Sequence, residues 1–133
     1  MGKARDVRNT EGTNQHLVPI GVHPTMGLIC IYGGPLKRSA PARQIVLNQA
    51  AALRLSAALS KVSLQAPPPG PVNCPEATGG FAIISLASTG PQDINIWWTM
   101  TGCQTLDNGT VGATQIANKS FDRFSNTIAG LTG

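Results

Sequence analysis

The sequence predicts an α+β domain in which two helices pack on an antiparallel sheet of four or five strands. One observation behind this is a series of short, apolar, β-branched runs, which are typical of strands. A second is the spacing of apolar residues in 49–62 and 117–131, which is helical. A third is the length of 133 residues, which suits one compact domain that buries about two-thirds of its unfolded surface.

The first half of the chain predicts an arm, two strands and a helix. Residues 1–24 are polar and indicate a mobile N-terminal arm, which leaves 25–133 as the single domain. The apolar run Gly27–Tyr32 ends at a Gly-Gly turn and predicts a buried strand, and a second strand is expected at Gln44–Leu47. Asn48 stands where an N-cap belongs, and the Ala/Leu-rich stretch behind it predicts a helix that lies close against the sheet.

A proline-rich segment follows this helix. Residues 65–75, QAPPPGPVNCP, favour extended polyproline geometry and are incompatible with a helix or a central strand. The segment is either a strap between two elements or an exposed ligand for a proline-binding groove.

Two convincing strands, 81–88 and 94–101, surround a turn at TGPQD. In the second strand, alternation places Trp98 on the apolar face and Trp97 on the polar face. Trp97 is therefore the candidate anchor for an interaction. The alternative is that a C-terminal helix or the N-terminal arm covers it.

The end of the chain predicts a hairpin and a closing helix. Asp107, Asn108 and Gly109 accept the backbone conformations of a tight turn, so Asp107 and Asn108 join Trp97 as candidate interaction residues. In 117–131, Phe121 and Phe124 fall on one helical face, with Asn118 or Ser120 as the cap. We expect this face to dock on the sheet.

Charge and composition limit the function classes. Charged residues make up 12% of the chain, and the net charge is +4, with no acidic residue between Glu11 and Glu76. The cations in that interval predict either a solvated basic face or a surface for phosphates or an acidic partner. Tyr32 is the only aromatic residue between Glu11 and Glu76. Nucleic-acid-binding surfaces usually combine cations with exposed aromatic residues, so a nucleic-acid partner is not expected.

Catalytic and metal-binding motifs are absent from the sequence. His16, His23 and Cys30 follow one another at seven-residue steps, which matches no zinc-site spacing. The acidic residues are scattered, and no nucleotide-binding or hydrolase motif occurs. We therefore expect a non-enzymatic protein without cofactor or metal.

The number and positions of the three cysteines indicate the redox state and the compartment of the protein. Cys74 ends the proline-rich segment and Cys103 ends the tryptophan-bearing strand, which favours a disulfide between them and leaves Cys30 as a buried free thiol. Closing this loop of about 30 residues is worth ~3–4 kcal/mol on the chain-entropy model. The rival interpretation is a cytosolic protein with reduced thiols throughout.

Location is inferred from composition. Low charge with abundant Gly, Ser, Thr and Pro is typical of secreted domains. No apolar run approaches the ~20 residues of a membrane-spanning helix. The first residues, MGKARDVRNTEGTNQH, lack the apolar core of a signal peptide, so we expect any export signal to lie outside this sequence.

Several motifs together resemble a group of uncharacterised actinobacterial exported or lipoprotein-like domains. They are Cys30-x-Tyr32-Gly-Gly, Cys74-Pro75, and Thr101-Gly-Cys-Gln-Thr-Leu-Asp-Asn-Gly109, in a resemblance that spans 28–131. It implies an extracellular or cell-envelope location, and it carries no mechanism.

The layout from Cys74-Pro75 to Cys103 is also similar to the SSI-like family of subtilisin inhibitors. This resemblance implies an inhibitory loop at Pro75, Glu76 and Ala77, with Glu76 as the specificity residue and Glu76–Ala77 as the reactive bond. A disulfide and a proline stiffen such a loop, so that a protease binds it with little loss of entropy.

The sequence therefore predicts a non-catalytic, exported binding domain, with a protein or a cell-envelope ligand as its partner. Serine-protease inhibition is the alternative. The sequence does not indicate the oligomeric state.

Overall fold

The computed structural model describes residues 16–19, 21–33, 43–64, 74, 79–88, 93–116 and 118–132. Within these ranges six strands form one antiparallel sheet, accompanied by two helices, so the predicted class is confirmed. The strands are β1 (Pro24–Tyr32), β2 (Arg43–Leu47), β3 (Phe81–Ser88), β4 (Ile94–Thr99), β5 (Thr105–Asp107) and β6 (Gly112–Thr114). The helices are α1 (Gln49–Ser60) and α2 (Lys119–Thr132). Six strands replace the expected four or five because β5 and β6, at three residues each, are too short to show a period.

The strand order in the sheet is β2-β1-β3-β4-β5-β6. β2 forms one edge, and α1 follows it directly and packs against β1. The chain then returns to the other side of β1 as β3, and β3 to β6 run as a simple meander. Both Trp-bearing β4 and its neighbour β3 are therefore interior strands.

Strand alternation gives the sheet one buried face, which both helices cover. The buried side chains of the sheet point to this face: Ile29, Leu47, Ala82, Ile84, Leu86, Ile96, Trp98, Leu106 and Ala113. Ala52, Leu55 and Leu59 of α1 and Phe121, Phe124 and Ile128 of α2 complete the same core. Phe124 meets Phe121 and Trp98 edge to face, with ring centroids 5.7 and 5.1 Å apart. Such pairs add about 0.5–1.5 kcal/mol to the burial of each ring.

Helix α1 begins at Asn48, whose side chain accepts a hydrogen bond from the backbone N–H of Ala51 at 2.9 Å. The predicted N-cap is confirmed. The buried positions of α1 are Ala52, Leu55, Ser56 and Leu59. Of the apolar residues that helical spacing places toward the core, Leu55, Leu59 and Val62 are buried, whereas Ala51 and Ala58 are half-buried.

Helix α2 begins after the buried Asn118, which is the cap of the two candidates Asn118 and Ser120. The Asn118 side-chain oxygen accepts a hydrogen bond from the backbone N–H of Phe121 at 3.2 Å. Its amide nitrogen donates to the carbonyls of Ser63 and Thr114 at 2.9 and 3.0 Å. Asn118 therefore caps α2 and joins it to the segments after α1 and β6.

The segment before β1 is packed. Leu17 and Val18 are fully buried, and the His16 Nδ1 lies 2.7 Å from the Ser60 carbonyl at the end of α1. The packed part of the chain therefore extends back to residue 16 at least, earlier than the predicted boundary at 24/25. The apolar residues of 17–22 are interrupted by a proline and a glycine and show neither a strand nor a helix period, so the sequence did not separate them from the arm. Residues 1–15 lie outside the described residues.

The disulfide between Cys74 and Cys103 is present, with their Cα atoms 5.1 Å apart. It joins the connection that precedes β3 to the turn between β4 and β5.

Cys30 is free, as predicted, but it is half-buried rather than buried. The reason is strand parity, since Ile29 faces the core and Cys30 lies on the opposite side of β1. Neither described helix is long and apolar enough to cross a membrane.

Candidate functional site

The face of the sheet opposite the two helices is the candidate site, and we call it the open face. Its side chains alternate with the core residues along each strand. On the three central strands these are Leu28, Cys30 and Tyr32 of β1, Phe81, Ile83 and Ser85 of β3, and Asn95, Trp97 and Thr99 of β4. Neither described helix packs here, since both contribute to the core on the other side.

Three aromatic side chains on the open face form one stack. Tyr32 and Phe81 are direct partners across β1 and β3, and their rings lie 4.8 Å apart at an interplanar angle of 10°. Phe81 in turn stacks on Trp97, with centroids 5.1 Å apart and the same angle. The Tyr32–Phe81 spacing matches the ~4.8 Å between neighbouring strands, as expected for direct partners, whereas Trp97 lies diagonally from Phe81, since its direct partner on β3 is Ile83. We call Tyr32, Phe81 and Trp97 the aromatic stack.

Trp97 stands at the end of the stack and is 50% exposed. Phe81 covers one face of its indole. The other face borders a depression of about 480 Å³, to which Phe81 does not contribute. We call this cavity the hairpin depression, since the β5–β6 hairpin forms its far wall. Its described lining comprises Ile83, Asn95, Ile96, Trp97, Thr99, Thr105, Asp107, Asn108 and Gly109.

The far wall follows from the turn chemistry. Asp107 Oδ1 accepts from the Gly109 N–H at 2.6 Å, and Gly109 has a φ of +91°, which favours glycine. Asn108 Oδ1 accepts from the N–H groups of Thr110 and Val111, both at 2.8 Å. These three hydrogen bonds, all within 107–111, fix the conformation of the turn.

The depression brings together the three interaction residues that the sequence suggested. Trp97 and Asp107 are direct partners across β4 and β5, and Asn108 follows Asp107 in the lining. They differ in what they offer a ligand. Asp107 Oδ2 and the indole face turned away from Phe81 have no partner among the described residues, whereas the Asn108 amide nitrogen donates to the Leu17 carbonyl at 3.0 Å. Asn108 therefore shapes the wall and anchors the N-terminal segment.

Sequence reasoning missed three contributors to this site. Tyr32 and Phe81 hold Trp97 in place, and Asn95 lines the depression beside it. Asn95 lies on the polar face that the alternation of β4 already defined, and this signal was available. Tyr32 and Phe81 were not recoverable in the same way, because their contact depends on the register between β1 and β3.

The polar groups of the depression offer both donors and acceptors. Asn95 Oδ1 accepts from the Ser85 hydroxyl at 2.8 Å, which directs the Asn95 NH₂ group away from Ser85 as a donor. The hydroxyls of Thr99 and Thr105 are 2.8 Å apart and bond to each other. Of the described residues that line the depression, Asp107 alone is charged.

A second, smaller groove runs between the helices. Arg54, Lys61 and Arg123 line it together with Ser120 and Thr127, and its volume is about 250 Å³. The predicted basic face of α1 is therefore real and gains Arg123 from α2. All three cationic side chains are exposed, which fits a solvated face.

The remaining residues that the sequence singled out are not among the described lining of the depression. Pro75, Glu76 and Ala77, the candidate inhibitory loop, lie outside the described residues, and so does 65–73. His23 is exposed in front of β1, and His16 contacts α1. Among the described positions no three His, Cys, Asp or Glu side chains are grouped as metal ligands would be.

Comparisons of this chain with protein-family models, with curated proteins and with solved structures gave no match. The fold and the open face are therefore the basis for any statement about function.

Proposed function

We propose that this protein is an exported, non-catalytic binding domain that holds its ligand on the open face, with Trp97 as the central contact. The observation that carries the proposal is the half-exposed indole of Trp97, which stacks on Phe81 and lines the hairpin depression. Burial of the exposed half of this large ring would gain free energy, and the ring lines a depression, so a role in binding accounts for its exposure better than a role in packing.

Rigidity supports the same proposal. Trp97 lies on an interior strand, and stacking on Phe81 restricts its ring. A ligand that binds a ring already in place loses less free energy to side-chain ordering, which amounts to about 0.5–1.5 kcal/mol for each immobilised side chain. Tryptophan is also the residue type most enriched among the dominant contacts of interfaces.

Export is supported by the Cys74–Cys103 disulfide, since structural disulfides persist in oxidising compartments. The low share of charged residues, 12%, agrees with a secreted domain. An extracellular or cell-envelope location is therefore part of the proposal, and a protein or an envelope component is the expected partner.

The test compares three proteins on arrays of glycans, peptides and lipids: the natural sequence, Trp97→Ala and Val46→Ala. Val46 is the matched control, because it is 71% exposed on the same face but lies on the edge strand β2, three strands from β4. We expect at least one array component to bind the natural protein and Val46→Ala, and to lose at least about 30-fold in affinity for Trp97→Ala. Binding that Trp97→Ala leaves unchanged would contradict the proposal.

Protease inhibition is a second candidate, favoured by one observation. Cys74 is disulfide-bonded, so the residue immediately before Pro75 is anchored as an inhibitory loop requires. The test is a panel of serine proteases that includes an acid-specific one, with Glu76→Lys as the variant. Inhibition that shifts from the acid-specific enzyme to a trypsin-like enzyme would support this function. Rapid cleavage without inhibition would exclude it.

A further inference from the structure

We infer that the ligand of the hairpin depression is a neutral saccharide, bound with one sugar ring flat against the exposed face of Trp97. This inference rests on the proposed function and specifies the ligand class. The hairpin depression has a volume of about 480 Å³, within the ~300–1,000 Å³ range of small-ligand sites. That space accommodates a short oligosaccharide segment beside the indole.

The shape of the wall favours a flat ligand with an apolar face. The indole is a planar, largely apolar surface, and Ile83, its direct partner on the adjacent strand β3, adds an apolar side chain to the lining. A pyranose ring carries its C–H groups on its faces and its hydroxyls around its edge. Such a ring buries apolar area against Trp97 while its hydroxyls stay directed toward the rim.

The hydrogen-bonding groups at the rim match hydroxyls. Asn95 presents an NH₂ donor, because the Ser85 hydroxyl occupies its oxygen. Asp107 presents Oδ2 as an acceptor, because the Gly109 N–H occupies Oδ1. Each sugar hydroxyl both donates and accepts, so a vicinal pair can satisfy a donor on one side of the indole and an acceptor on the other.

Charge argues against the other small ligands that stack on tryptophan. A nucleotide or a phosphorylated ligand needs cations, and the described lining contains none, while Asp107 repels an anion. A cationic ligand would be attracted to Trp97 and Asp107, but an ammonium or guanidinium group has no acceptor for the NH₂ donor of Asn95, which also lines the depression. A neutral ligand meets neither conflict.

The experiment is a binding assay on a microarray of neutral glycans and on insoluble cellulose, chitin, starch and β-1,3-glucan. Arginine-rich peptides and choline serve as cationic probes. We expect at least one neutral glycan to bind the natural protein, with an affinity that falls at least about 30-fold for Trp97→Ala. Asn95→Ala should lower it about fivefold, the effect of one lost hydrogen bond. Val46→Ala should leave it unchanged.

Asp107→Asn separates a saccharide from a cation. The amide oxygen stays bonded to the Gly109 N–H, and the NH₂ group that replaces Oδ2 can donate to a sugar hydroxyl, so glycan affinity should fall by less than about fivefold and should not depend on salt. A cationic ligand would instead lose most of its affinity. Since Asn95 is exposed and Asp107→Asn conserves shape, neither variant threatens the fold.

The outcomes are distinguishable. Binding only to peptides or choline, still dependent on Trp97, would overturn the saccharide inference and leave the proposed function in place. Absence of any Trp97-dependent binding on these surfaces and on the wider arrays would overturn both.

Discussion

The two asparagine caps, Asn48 and Asn118, lead to a quantitative prediction about stability. Both begin a helix and both accept a backbone N–H, from Ala51 and Phe121 respectively. Their surroundings differ, since Asn48 is exposed whereas Asn118 retains only 6% of its exposure. The same substitution at the two positions therefore separates capping from bridging.

Asn48→Ala should lower the free energy of unfolding by about 1 kcal/mol, the usual effect of a lost N-cap. Asn118→Ala loses an N-cap that contributes a similar free energy. It also loses the two hydrogen bonds that the Asn118 side chain donates to the backbone carbonyls of Ser63 and Thr114. Each of those bonds adds about 1 kcal/mol. The expected total is about 3 kcal/mol. With a urea m-value near 2 kcal/mol/M, the unfolding midpoints should fall by about 0.5 M and about 1.5 M.

The aspartate variants make the test sharper. Aspartate keeps the acceptor oxygen of the cap but has no NH₂ group to donate. Asn48→Asp should therefore be close to neutral, while Asn118→Asp should destabilise at least as much as Asn118→Ala, because it also buries a carboxylate beside carbonyl oxygens. The assay is urea unfolding of the oxidised protein followed by tryptophan fluorescence. Equal losses for the two alanine variants, or a neutral Asn118→Asp, would refute the bridging role.

The remaining predictions also concern stability. Gly109→Ala should destabilise by about 1–2 kcal/mol, because its φ is +91°, whereas Gly130→Ala inside α2 should stabilise by up to about 1 kcal/mol. An added Cβ meets nothing within 4 Å at either position, so thermal unfolding of the pair isolates backbone conformation; shifts of the same sign would contradict this explanation. A Cys74→Ser, Cys103→Ser double variant should lower the free energy of unfolding, measured in urea, by ~3–4 kcal/mol, while Cys30→Ser should change it little. A double variant that loses no more than Cys30→Ser would mean that the disulfide does not stabilise the fold. Trp98→Ala should lose about 3–5 kcal/mol and Trp97→Ala clearly less, since Trp98 is 9% exposed and Trp97 is 50% exposed; a larger loss at Trp97 would reverse the assignment of faces.

The elements with a clear period were predictable from the sequence. Residues 81–88 were predicted as a strand with the bounds that β3 has, because eight apolar and small residues stand between two turns. The alternation in β4 placed Trp98 in the core and Trp97 on the opposite face, and the burial of the two rings confirms it. The C-terminal helix lies against Trp98 rather than Trp97, so it does not cover the exposed indole.

Features that depend on register or on isolated residues were not predictable. β1 begins at Pro24, three residues before the expected start, since proline is rare in strands and the next two residues, Thr25 and Met26, are exposed. Leu17 and Val18 enter the core by packing that local sequence does not encode. The aromatic stack joins Tyr32 to Phe81 across a separation that only the pairing of β1 with β3 closes.

The candidate site was predictable in part for the same reason. Trp97, Asp107 and Asn108 are close in sequence, and one hairpin turn brings them together. Their division of roles required the hydrogen bonds, because Asn108 is committed to Leu17 while Asp107 keeps one carboxylate oxygen available. The donor group of Asn95 likewise emerges only from its bond with Ser85.

The most direct test of the open face as the binding surface is acrylamide quenching of two single-tryptophan variants. Trp98→Phe leaves only Trp97, and Trp97→Phe leaves only Trp98. We predict strong quenching of Trp97 and weak quenching of Trp98, and protection of Trp97 alone when the glycan retained in the binding assay is added. Equal quenching of the two rings, or a bound glycan that leaves the quenching of Trp97 unchanged, would contradict the account.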